Sequence, residues 1–152
     1  MGFAPGLLAA LTLLLGDGPP ATRGADVVLR GKVVTLAAAI KELGVEVKPD
    51  PDTAAREAVL LGADQTITPL FRDDASRALF LDERLRGRRV EVHGRRFPGV
   101  PYLQVSSFRV ENEGTWQIPE YFCSVCSITE RYPKICPCCQ GPMELRWRPE
   151  HQ

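Results

Sequence analysis

The feature that most narrows what this chain can fold into is a crowd of thiols near its C-terminus. All five cysteines lie within residues 123–139: Cys123, Cys126, Cys136, Cys138 and Cys139. Four of them form two C-x2-C pairs, Cys123 with Cys126 and Cys136 with Cys139, with nine residues between Cys126 and Cys136. Two residues between thiolates let a tight turn aim both sulfurs at one cation, and two such turns complete a tetrahedron. Zn2+ accepts that arrangement because it favours thiolate and imposes no d-electron geometry. Pro137 and Gly141 help the second turn bend. Cys138 is the extra thiol and an alternative ligand, since it can take a neighbour's place.

The spacing resembles that of a zinc ribbon, a pair of rubredoxin-type knuckles. The resemblance assigns Cys123 and Cys126 to the first knuckle and Cys136 and Cys139 to the second. Ser127 and Gln140 follow the two pairs at the place where many knuckles carry glycine. Spacing alone does not separate zinc from iron. Disulfide pairing, or redox cycling of a C-x2-C pair, is the competing reading, which an odd count and the adjacent Cys138 and Cys139 fit poorly. Covalent haem needs a His after a C-x2-C, and Ser127 and Gln140 stand there. A four-thiolate site has no open position for water, so it staples a fold and does not hydrolyse anything. The ribbon expected over residues 121–148 is too short for a hydrophobic core of its own, which is where a metal staple acts. Tyr121, Phe122, Tyr132 and Trp147 are expected to pack beside it.

At the other end, residues 7–15 read LLAALTLLL, followed by the breaker Gly16-Asp17-Gly18-Pro19-Pro20. As a helix that run rises only about 13 Å, short of a hydrocarbon core of roughly 30 Å. It has the character of the apolar part of a secretory signal, with Gly24 and Ala25 near a cleavage point. Residues 1–25 are therefore expected to be a signal peptide and the protein to be exported or periplasmic. If that segment is not a signal, the cytoplasm is the alternative. No other stretch is long and apolar enough to span a membrane as a helix.

Between the two ends the chain reads as short strands. Residues 26–36 (DVVLRGKVVTL) are rich in Val and Leu, and Gly31 suggests a bulge or bend. Residues 37–43 are helix-prone and end at Gly44; residues 48–52 (KPDPD) have the composition of a loop. Residues 57–61 and 66–71 flank Gly62-Ala63-Asp64-Gln65, a hairpin signal. Asp73 or Asp74 can cap a helix over residues 75–85, stopped by Gly87. Residues 88–96 and 102–110 then alternate apolar and polar, as half-buried strands do.

Strand, strand, strand, helix, strand, strand is the order of the OB-fold. Residues 26–111 resemble a bacterial OB-fold domain, with LRGKVV in the first strand and ASRALFLDERLRG as the inter-strand helix. The expected class is thus mainly β. It comprises a small five-stranded OB-like barrel with one helix between strands 3 and 4, a linker over residues 112–120, and the zinc ribbon. This arrangement resembles that of exported bacterial proteins, a resemblance that implies no activity.

Other chemistry is faint. Arg88, Arg89, Arg95 and Arg96 invite an anion or single-stranded nucleic-acid surface. With 19 basic and 19 acidic side chains in the chain, they read more simply as the solvent face of a strand, balanced by Asp82, Glu83 and Glu91. His93 has no Cys or Ser partner in view, and the glycines form no phosphate loop. The reading is a non-enzymatic module that binds a protein or small ligand, with single-stranded nucleic-acid binding and thiol-redox or metal handling as alternatives.

Overall fold

The computed structural model describes Met1 and residues 22–149. Most of the segment expected to be a signal peptide, residues 2–21, lies outside the described residues. The chain is mainly β: eight strands form one curled, half-barrel sheet with few and short helices. No helix among the described residues is long and apolar enough to cross a membrane.

The spine of the sheet is β1 (Ala25–Thr35), which pairs with β2 (Ala58–Gly62) over its second half and with β4 (Arg89–Arg96) along most of its length. The glycine expected to bend this strand lies where β1 and β2 approach closely. A Cβ at Gly31 would collide with the carbonyl oxygen of Leu61. Beyond β2 comes β3 (Ile67–Pro69), and beyond β4 comes β5 (Leu103–Asn112), so the path runs β3-β2-β1-β4-β5. A single parallel bridge, Leu70 to Leu103, ties the end of β3 to the start of β5.

The helices are local products of caps. α1 (Leu36–Glu42) starts where Thr35 accepts the N–H of Ala38, and Gly44, at φ 65°, ends it as expected. The stretch read as a loop instead turns into α2 (Pro51–Arg56). Asp50 caps it by accepting the N–H of Thr53, and Pro51 fills the first helical position, where its missing N–H costs nothing. The helix expected over residues 75–85 is split into α3 (Arg77–Leu81) and a 3-10 turn (Glu83–Leu85). Asp82 breaks it, using its carboxylate to cap Arg84.

The clearest departure is at residues 112–120, expected to be a linker. They are the turn and the body of a strand, β6 (Thr115–Cys123), which continues the sheet. Glu113 and Gly114, at φ 51° and 78°, make the two-residue reversal that matches strand twist. β6 then carries β7 (Ile128–Glu130) on the edge it shares with β5, and β8 (Glu144–Pro149) on the other.

The main core holds Val33, Leu60, Leu79, Leu85, Val90, Val92, Leu103 and Val110, from β1, β2, α3, the 3-10 turn, β4 and β5. Tyr121 of β6 belongs to the same cluster, and Tyr132, Met143, Leu145 and Trp147 pack against it. Aromatic and aliphatic side chains of the cysteine-bearing segment therefore pack on the core of the half-barrel.

Candidate metal centre

Both C-x2-C pairs sit at strand reversals. β6 ends on Cys123, whose partner across the turn is Ile128 of β7. In the second reversal the N–H of Cys136 donates to the carbonyl of Gly141 at 2.8 Å, and Ile135 bridges Pro142. The two turns share one design. The residue after each second cysteine is left-handed, Ser127 at φ 54° and Gln140 at φ 59°. Side chains other than glycine, Asn and Asp rarely adopt that conformation, so the thiol geometry is held against a local backbone cost.

The result is convergence. One sulfur from each of Cys123, Cys126, Cys136 and Cys139 lies within 4.8 Å of the others, and Cys123 Sγ is 3.5 Å from Cys139 Sγ. Four sulfurs at tetrahedral zinc, bound at about 2.3 Å, stand about 3.8 Å apart, so the donor set fits such an ion. The first thiol of each pair also receives backbone donors. Cys123 is approached by the N–H groups of Cys126 and Val125, and Cys136 by those of Cys139 and Cys138. These donors, foremost that of Cys139, pull the Cys136 thiol down to about 7. The neighbouring Cys138 side chain and burial push Cys126 up. Crowded thiols resist ionising together unless a cation joins them.

Cys123 and Cys136 are buried, Cys126 is half-buried and Cys139 is exposed at the rim. Cys138 is exposed and lies outside the group of four. No family model, curated protein or solved structure matches this chain. The geometry of the site therefore stands on its own, and it consists of four cysteines positioned to bind a metal in a ribbon-like pair of turns.

The four arginines singled out as an anion surface separate into different surroundings. Arg88 donates to Asn112 at 2.8 Å and lies over the Trp147 ring, while Arg89 pairs with Glu111 at 2.8 Å. Arg95 pairs with Asp26 at 3.0 Å, and Arg96 reaches the Thr68 hydroxyl at 3.4 Å. His93 hydrogen bonds to Glu91, a carboxylate only 2% exposed that Arg30 and Arg109 also grip. These contacts hold Glu91 below its ordinary range despite its burial.

One buried contact beside the cysteines has no signal in the sequence. The Tyr121 hydroxyl, two residues before Cys123, donates to Asp82 at 2.6 Å, and Arg84 grips the same carboxylate at 2.7 and 2.8 Å. Asp82 lies 39 residues away in the chain, so only folding reveals the pair. It links the strand that carries the first knuckle to the helix of the half-barrel.

Proposed function

We propose that this protein is a non-enzymatic interaction or assembly module in which an OB-like barrel is completed by a zinc ribbon. The observation that carries the reading is the convergence of four sulfurs at two matched turns, the first of them at the end of a strand whose Tyr121 enters the core of the half-barrel. A closed four-thiolate centre contributes folding energy and offers no site for a reacting water, which is why the module reading precedes any enzymatic one. The OB-like reading draws on the β3-β2-β1-β4-β5 order, on α3 lying between β3 and β4, and on the Leu70–Leu103 bridge. Export, as proposed from residues 7–15, adds a test of its own: N-terminal sequencing of the mature chain, with a start near Asp26 expected.

Elemental analysis of protein purified without a histidine tag, with thiols counted before and after chelation, tests the metal reading. About one zinc per chain, with thiols masked until chelation, is expected. The same analysis identifies iron if iron is the occupant. Absence of metal together with paired cysteines would overturn the module in favour of thiol-disulfide chemistry.

Single-stranded nucleic-acid binding is a second reading, favoured by one observation. Phe71 and Tyr102 are exposed rings with centroids 5.2 Å apart, a platform on which bases can stack. It requires salt-dependent binding of an oligonucleotide that weakens in Arg88→Glu and Arg89→Glu.

A further inference from the structure

β5 is paired unequally on its two edges. Toward β4 it is bonded from Leu103 to Val110, whereas toward β6 only Val110, Glu111 and Asn112 have partners. Leu103 is reached by the Leu70 bridge and by the N–H of Phe71. Among the described residues, no backbone group bonds to residues 104–108 from the side away from β4. The bulge between His93 and Gly94 also leaves Ser106 without a partner on β4. The cause is β6, whose residues Ile118, Pro119 and Glu120 bond to β8 alone before β7 joins at Tyr121. The ribbon draws β6 away from the barrel, and Pro119 has no N–H to give.

The two diverging strands bound a cleft of about 460 Å³. Ser106, Ser107 and Phe108 line one wall, Ile118 lies on the other, and Thr129 and Arg131 of the β7 end close it. Such a wall of unsatisfied strand edge, small hydroxyls and one apolar side is what an added strand needs. Its charges select the occupant. Glu120 is paired with Arg148 at 3.2 Å and Glu130 with Lys134 at 2.7 Å. Arg109, which also lines the cleft, pairs with Glu91 at 2.8 Å, whereas Arg131 is exposed and makes no ion pair among the described residues, so it offers a positive charge at the end of the cleft.

We infer that this cleft binds an extended acidic peptide segment of a partner protein, which adds a strand to the free edge of β5. Five residues of edge accommodate a segment of about 17 Å. The inference rests on the module reading and names the kind of partner that module takes.

The test uses the full, metal-loaded chain, labelled for NMR, and three capped eight-residue peptides. One alternates Val with Glu, one alternates Val with Lys, and one is the Val/Glu peptide N-methylated at every amide. The Val/Glu peptide is expected to shift and slow exchange of the backbone amides of residues 104–108, while the other two do not. Arg131→Glu should weaken it about fivefold, the size of a lost surface pairing plus repulsion. Equal effects of the N-methylated peptide, or none at these amides at millimolar concentration, would overturn the inference. Concentration-dependent shifts at the same amides without peptide would overturn it in favour of a second copy of the chain. Failure on protein that carries zinc removes the cleft alone; absence of zinc removes the module reading and overturns the inference that rests on it.

Discussion

Ser127 and Gln140 show how much of this molecule is decided by single backbone conformations. Each is left-handed, at φ 54° and 59°, and each follows the second cysteine of a knuckle. Replacing either with glycine should relieve more strain than it adds in unfolded-state entropy, raising stability by about 0.5–1 kcal/mol in thermal melts of the metal-loaded protein. A second prediction concerns Tyr121, whose hydroxyl is buried against Asp82. Tyr121→Phe keeps the ring and loses a charge-assisted hydrogen bond, at a cost of about 1–3 kcal/mol. Burial opposes ionisation of Asp82, yet its bonds from Arg84 and Tyr121 hold it below its ordinary 3.8. A depressed carboxylate contributes stability that is full above the unfolded value and lost as pH falls through the folded one. The gap between wild type and Tyr121→Phe should therefore be constant near neutrality and narrow below about pH 4. Denaturant melts across that range check it, and a gap that widens in acid would contradict the assignment.

At the scale of elements, the β5–β6 reversal is the joint on which the arrangement turns. Glu113-Gly114 occupies two left-handed positions between strands, where Asn-Gly is the preferred pair. Glu113→Asn should stabilise by about 0.5–1 kcal/mol, and Gly114→Ala should destabilise by about 1–2 kcal/mol. Their melting temperatures should move in opposite directions. The reversal is legible in the residues Asn112-Glu113-Gly114-Thr115 once strands are expected on both sides. Without that expectation the stretch is polar and reads as a linker. α2 was hidden in a similar way, since Asp50-Pro51 starts a turn and starts a helix with equal propriety. The inter-strand helix was legible, but its break at Asp82 was not. The side chain that makes Asp82 worth burying there, Tyr121, comes from another strand.

Across the whole molecule, one core is shared by the half-barrel and the cysteine-bearing strands. Tyr121 lies within it, and Tyr132, Met143, Leu145 and Trp147 cover it. Loss of the metal should release those covers, so chelation is expected to lower the melting temperature of the entire chain by more than about 10 °C. Hydrogen exchange at Val90 and Val92, buried in β4, should accelerate along with that of the cysteine turns. Unchanged protection in β4 after chelation would mean that the barrel closes without the ribbon.

The sequence by itself determined the mainly β character, most strands, the C-terminal end of α1 and the identity of the clustered cysteines. Each depends on neighbours within a few residues: alternation of side chains, a glycine past a helix, two residues between thiols. It also put Ser127 and Gln140 where the resemblance leads one to expect glycine, and the structure shows both positions to be left-handed. Only the tertiary structure decided which surfaces meet. It divided Arg88, Arg89, Arg95 and Arg96 among separate partners, brought Asp82 to Tyr121, and opened the cleft beside β5. Those outcomes depend on strand register and on β6 bonding to three strands at once, and such long-range pairings leave no local pattern in the chain.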